Sequence, residues 1–335
     1  MTSGSFVLFP WRRSAMRGFT LIELMVAMLL GLVVMAGVGS VFLSNQRVYR
    51  TNRALSDVQD SSRIAFELLA RDIRNAGLTA CSNNGRVSNV LNIGPANKGA
   101  TWWGDWNNAI RGFEGNDPDV AAGTSARDRV AGTASLQLLG GDDTSYSVAS
   151  HDSSGAQFTL NEASADPIAG DVFIVCDYDH AAIFKSSSYN AKAKTVGHAT
   201  EGGNCTAGLG YPTSCDTANV YTFGANAYMT RLNVADWYIG VNGDGGTSLY
   251  RLGRSGGSPQ RDEMVRGVTA MQLQYHQQDL AGDAFVTANK VTNWKNVTAV
   301  RVTLTMRSDD PRSGTNNAPI SRQFTATTTL RNRVP

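Results

Sequence analysis

The chain has 335 residues, 42% of them hydrophobic, which is enough to bury a sizeable core. Its 30 basic and 28 acidic side chains nearly balance, which excludes a global pull toward nucleic acid or anionic lipid. The one asymmetry is N-terminal: Arg12, Arg13 and Arg17 have no acid among residues 1–18, and the rest of the chain carries 27 basic against 28 acidic groups. Directly after them comes Phe19 to Leu43, 25 residues with one ionisable side chain, Glu23. About 20 apolar residues suffice to cross a bilayer. The flanking arginines keep the short N-terminus in the cytoplasm and send residues 44 onward across the membrane. A secretory signal would place its small cleavage-site residues after the apolar run, whereas here the small residue, Gly18, precedes it.

The string Arg17-Gly18-Phe19-Thr20-Leu21-Ile22-Glu23-Leu24-Met25-Val26 resembles the prepilin signature of type IV pilins and type II secretion pseudopilins. The resemblance implies that residues 1–18 are a cytoplasmic leader, that a prepilin peptidase cuts between Gly18 and Phe19, and that Phe19 is then N-methylated. A carboxylate in hydrocarbon costs several kcal/mol unless paired. Glu23 lies four residues after Phe19, on the same helix face as the amine that cleavage creates. By the same resemblance, Glu23 attracts the N-terminus of a neighbouring subunit and sets register. Gly31, Gly37 and Gly39 weaken this helix or allow close helix packing.

Beyond the bilayer segment (19–43), residues 44–76 are expected to continue the helix as an amphipathic half. Val48, Leu55, Val58, Ala65, Leu69, Ile73 and Ala76 form the apolar stripe. Arg53 with Asp57, then Arg63, Glu67 and Arg71, stand at four-residue steps on the other face. Gly77 is the expected terminator. Residues 77–335 are expected to form a β-rich head, giving an α+β, pilin-like fold. Strands are predicted at 136–139, 158–160, 172–176, 182–184, 220–223, 237–241, 248–252, 268–275, 297–306 and 324–330. Val300, Val302, Leu304 and Met306 alternate most clearly. The Gly-, Asn- and Ser-rich stretches 82–130 and 186–218 are expected to be irregular surface insertions.

Several head phrases narrow the resemblance to PilW-type minor pilins, related to J-type pseudopilins. They are Leu69-Ala70-Arg71-Asp72-Ile73-Arg74-Asn75-Ala76-Gly77 followed by Cys81, then Cys176-Asp177 before Ala182-Ile183-Phe184, and Ser248-Leu249-Tyr250-Arg251. Met264-Val265-Arg266-Gly267-Val268, Gln274-Tyr275, Val300-Arg301-Val302 and Leu330-Arg331-Asn332-Arg333 follow in the same order.

The four cysteines, Cys81, Cys176, Cys205 and Cys215, lie in an exported domain and suit disulfides. They allow three connectivities. A Cys205–Cys215 bridge would staple a Gly-rich loop and leave Cys81 with Cys176. CxxC-like spacing is absent, and no metal and no cofactor is expected.

Gly253-Arg254-Ser255-Gly256-Gly257 fits G-x-S-x-G but lacks a following helix and is taken as a loop. His151, His180, His198 and His276 show no metal or triad spacing. Asn242-Gly243-Asp244-Gly245-Gly246 offers calcium-type oxygens but is more simply a hairpin turn. Trp102, Trp103 and Trp106 suit burial beneath an insertion, or sugar stacking if exposed. Arg331 and Arg333 suit a solvated edge.

The expected role is non-enzymatic. The resemblance implies a minor pilin anchored in the inner membrane with a periplasmic head, then carried into an extracellular pilus. It implies as partners the prepilin peptidase, the lipid bilayer, other minor pilins, the major pilin and the assembly platform, with no nucleic acid. It also implies priming of assembly, a place at the fibre tip and support of twitching motility. The rival readings are a type II secretion pseudopilin and a tip adhesin or DNA-uptake module on the same scaffold.

Overall fold

The computed structural model describes residues 18–79, 81, 86–97, 99–117, 119–165, 169–255, 258–279, 282, 284–314 and 316–331. Residues 1–17, with Arg12, Arg13 and Arg17, lie outside these. So do Gly256, Gly257, Asn332 and Arg333. The chain forms two compact units, Met1–Arg53 and Ala54–Pro335.

One helix, α1, runs Leu21–Asn75 without a proline to interrupt it. It ends where Gly77 adopts φ +75°, a left-handed conformation that costs glycine nothing, with Leu78 N–H donating to the Asn75 carbonyl at 3.0 Å. In the first unit every large apolar side chain from Phe19 to Leu43 is exposed. A helix apolar on all sides requires lipid or other helices around it.

In the second unit α1 is amphipathic. Ala54, Val58, Ser62, Ala65, Leu69, Asp72 and Ile73 are buried on one face. The expected stripe is present over Val58, Ala65, Leu69, Ile73 and Ala76, but Leu55 is only half-buried and Val48 is exposed. Of the expected ion pairs, Arg63–Glu67 is present at 3.7 Å, while Arg71 approaches Asp72 and Asp143, each at 4.0 Å.

Fourteen strands follow among the described residues: β1 (Val87–Asn89), β2 (Ile110–Phe113), β3 (Ser135–Asp152), β4 (Gln157–Leu160), β5 (Val172–Cys176), β6 (Ala181–Lys185), β7 (Ser188–Asn190), β8 (Thr195–Gly197), β9 (Tyr228–Val241), β10 (Thr247–Ser255), β11 (Ser258–Arg266), β12 (Val268–Gln277), β13 (Val297–Arg307) and β14 (Ser321–Thr329). Eleven form one sheet with the path β1-β6-β5-β9-β3-β4-β8-β7; β10 extends it beside β9, β11 lies beyond β10, and β2 pairs with β3. The remaining three form a sheet in the order β12-β13-β14.

The long strands β3 and β9 pass through two separate cores. Leu136, Leu138, Trp237 and Ile239 join Leu69 and Ile73 of α1 and Val300, Val302, Leu304 and Met306 of β13 in the first. Val148 and Met229 join Phe158, Phe173, Phe184 and Val196 in the second. The β3–β9 register shifts between Gly141 and Ser145, where one core gives way to the other.

Three expectations are corrected. Residues 220–223 are not a strand; Phe223 is buried in the second core by a segment without regular structure. The supposed surface insertions contribute core residues: Val90, Leu91, Ile110, Val196 and Leu209 are all buried, and these stretches carry β1, β2, β7 and β8. Gly253, Arg254 and Ser255 end β10 rather than forming a loop. Composition misled in the last two cases, because the small polar residues that mark turns also occur in strands that pack against a core.

Candidate functional site

At the start of α1 the geometry is a reciprocal cap. Thr20 precedes the first helical residue, and Glu23 stands three residues later. The Glu23 Oε2 accepts the Thr20 N–H at 3.3 Å and the Thr20 hydroxyl at 3.2 Å, while the Glu23 N–H donates to Thr20 Oγ1 at 3.3 Å. This T-x-x-E capping box satisfies donors that a helix N-terminus leaves orphaned, and places a negative charge at the positive end of the helix dipole. The expectation for Glu23 considered only a partner outside the chain. The spacing Thr20-x-x-Glu23 was itself a readable signal for the intramolecular role. Phe19 is 86% exposed and Gly18 has open space around its Cα, so the junction between them is accessible.

At the far end of α1, within the second unit, Asp72 is buried. Its Oδ2 accepts the Trp237 indole N–H at 3.0 Å and the Arg251 Nε–H at 2.8 Å, and Arg251 Nη2 donates onward to Asn233 Oδ1 at 2.7 Å. A carboxylate in a core is tolerable only with such partners. Close by, Gly140 of β3 lets the backbones meet: a Cβ there would lie 2.2 Å from the Asn75 carbonyl oxygen. Gly77 N–H donates to the Leu139 carbonyl at 2.7 Å and Arg331 N–H to the Arg74 carbonyl at 3.3 Å. Phrases far apart in the sequence, Arg71 to Gly77, Tyr250-Arg251 and Leu330-Arg331, therefore converge on one helix end.

Comparison with protein families gives two matches. Residues 13–39 match the prokaryotic N-terminal methylation motif, and residues 236–332 match the type IV pilus-assembly protein W model. The chain carries a PilW domain behind a prepilin methylation motif. No curated protein and no solved structure gave a significant match. The two family matches support a type IV pilus-related minor pilin, and the methylation motif with its apolar helix points to membrane anchoring. The PilW match begins in β9 at Asp236 and ends beyond β14, so it supplies both donors to Asp72, Trp237 and Arg251. The helix that carries Asp72 lies outside it.

The remaining sequence-selected residues take other places. Disulfides join Cys81 to Cys176 and Cys205 to Cys215. His151 and His198, 47 residues apart in sequence, meet with their Nε2 atoms 3.0 Å apart. His151 Nδ1 accepts the Phe223 N–H at 3.1 Å, so its Nε2 carries the proton and donates to His198. Burial lowers both pKa values to about 4; Asp152 opposes the shift for His151, and His151 adds to it for His198. His180 Nε2 pairs with the Leu209 carbonyl, and His276 bridges Thr298 and Gly282.

Asn242 Oδ1 accepts the Asp244 and Gly246 N–H groups of the β9–β10 turn, and Asp244 pairs with Arg266 at 2.5 Å. Those oxygens are committed to closing a hairpin. Among the described residues there is no group of three or more His, Cys, Asp or Glu placed to hold a metal ion. Trp102, Trp103 and Trp106 are half-buried against Ala109, Leu139 and Val234, and the Arg254 guanidinium covers Trp103 at 4.1 Å. Sequence reasoning missed one further group: Asp236 is fully buried near Asp119 and Arg129. Burial first and Asp119 second raise the Asp236 pKa well above the carboxylate range.

Proposed function

We propose that this chain is a minor pilin that primes pilus assembly. The prepilin peptidase cuts between Gly18 and Phe19, and Phe19 is N-methylated. Residues 19–43 hold the chain in the inner membrane, with the head in the periplasm. Other minor pilins and the major pilin then gather on its helix, and the assembly platform draws the group outward. The chain travels at the fibre tip and supports twitching motility.

The observation that carries this reading is Glu23. It is the one acid in residues 19–43, the exposed apolar part of α1 that is long enough to cross a membrane, and it lies one turn from Phe19. Both of its contacts fall on Oε2, which leaves Oε1 to accept the methylated amine of a neighbouring subunit. The capping box holds the carboxylate at the helix start, so registration needs no rotamer search.

The test is pilus counting and twitching in strains carrying Glu23→Ala, Thr20→Ala or a deletion of the chain. Glu23→Ala is expected to reproduce the deletion, with few pili and little twitching, and Thr20→Ala to fall between it and the unaltered strain. Unchanged piliation in the deletion strain would sink the priming role.

A further inference from the structure

In the second unit, the β5–β6 turn and the segment entering β9 enclose an open cleft of about 600 Å³ that the pilin role does not use. Its lining includes Cys81, Asp177, Tyr178, Tyr221, Asn226 and Tyr228. The turn is tightly built: Asp177 Oδ1 accepts the N–H groups of Asp179 at 3.0 Å and His180 at 2.9 Å, and Asp177 N–H donates to the His180 carbonyl. Tyr178 stands at its tip, 86% exposed. Tyr228 opens β9 opposite Cys176 of β5 and is 54% exposed. Leaving a large aromatic ring in water forgoes its burial, and here two such rings line the same cleft.

The polar part is preorganised. Tyr221 stacks on His180 with centroids 4.2 Å apart, and its hydroxyl donates to Asp177 Oδ2 at 2.8 Å. Burial and that bond push the Tyr221 pKa up, so the phenol stays a donor. The charge of neighbouring Asp179 is offset by Arg86 at 2.7 Å. No Lys or Arg is among the lining residues, and Asn226, exposed, adds an amide that both donates and accepts.

We infer that this cleft binds a neutral saccharide, with sugar-ring faces on Tyr178 and Tyr228 and one ring hydroxyl donating to the remaining acceptor position of Asp177 Oδ2. An apolar face edged with hydroxyls is the ligand shape that paired aromatic rings and a fixed carboxylate recognise. A sialylated or sulfated sugar, or a nucleic acid strand, would bring an anion against Asp177. The site is separate from Glu23 and from Asp72, so its loss leaves piliation intact and its failure leaves the assembly role standing.

The test uses the full chain in lipid nanodiscs, titrated with maltotriose, tri-N-acetylchitotriose, sialyllactose and a single-stranded oligonucleotide, with binding read by saturation-transfer NMR. One of the two neutral trisaccharides is expected to bind saturably near about 1 mM, and the two arms tell a hexose from an N-acetylhexosamine ligand. Tyr178→Ala and Tyr228→Ala are each expected to weaken that binding at least about fivefold with unchanged thermal melting, since truncating an aromatic anchor costs more than about 1 kcal/mol. Both side chains are exposed, so the variants fold. The inference is overturned if neither neutral sugar binds, if binding survives both substitutions, or if sialyllactose or the oligonucleotide binds more tightly.

Discussion

Replacing Arg251 by methionine removes the hydrogen-bonded cation from the Asp72 carboxylate and leaves that carboxylate, 2% exposed, with one neutral donor, Trp237, and the more distant, exposed Arg71 at 4.0 Å. At an effective dielectric of about 20, two charges about 4 Å apart attract by about 4 kcal/mol, and desolvation of the pair offsets much of that. The intact pair is therefore worth little against an apolar replacement. Breaking it from one side is different and costs about 3–5 kcal/mol. Against a typical total of about 5–15 kcal/mol, that is a large share of the stability. Arg251→Met and Asp72→Leu are each expected to lower the urea midpoint sharply in the full chain in micelles. The double variant should lose less than the sum, with a coupling energy of at least about 2 kcal/mol, because it leaves no stranded charge. Asp72→Asn keeps an acceptor for Trp237 and should fall between. The reasoning fails if either single change costs under about 1 kcal/mol, or if the two add within about 0.5 kcal/mol.

Gly140→Ala places a methyl 2.2 Å from the Asn75 carbonyl oxygen, a contact between two backbones, and is expected to cost more than about 2 kcal/mol by thermal melting. Gly77→Ala, at φ +75°, should cost only about 1 kcal/mol. The His151–His198 pair has folded pKa values depressed to about 4 from 6.5, so the unfolded chain binds more protons between those values. Its contribution is full above pH 6.5, is lost as pH falls toward 4 and is flat below. A pH profile of stability should show a loss of about 2–3 kcal/mol per ring, allowing for screening, and His151→Phe, which leaves His198 buried, should remove about half of it. Opening Cys81–Cys176, 95 residues apart, by paired alanine substitution should cost about 4.7 kcal/mol, against about 2.7 kcal/mol for Cys205–Cys215, ten apart, on a chain-entropy account that denaturant titration checks.

The helix was legible because its causes are local. Apolar periodicity, the absence of proline and a glycine at the end fix α1 to within two residues of the expected 19–76. The alternating β13 was legible for the same reason, since Val300, Val302, Leu304 and Met306 declare one buried face on their own. Residues 220–223 were not, because the β-prone run Val220 to Phe223 is held by a core it enters sideways. Phe223 packs on His151, Phe158 and Tyr221 with no strand partner of its own. The His151–His198 contact is likewise made by β3 and the end of β8, and spacing along the chain carries no trace of it.

Asp72 shows where such reading runs out. In sequence it is one of several charges near the end of an amphipathic helix, and its neighbours Arg71 and Arg74 make a solvated role the simplest expectation. Its position on the helix argues otherwise, because Leu69, Asp72, Ile73 and Ala76 share one face at steps of three and four. An acid on the apolar face is either an error of assignment or a group with a distant partner. The partners, Trp237 and Arg251, lie 165 and 179 residues away, and both belong to the PilW match. The helix and the PilW domain are thus tied by a polar contact that neither element would tolerate alone. Because a carboxylate that leaves Arg251 and Trp237 must be solvated elsewhere, the contact fixes one register of helix on sheet, where an apolar stripe alone would accept a slip.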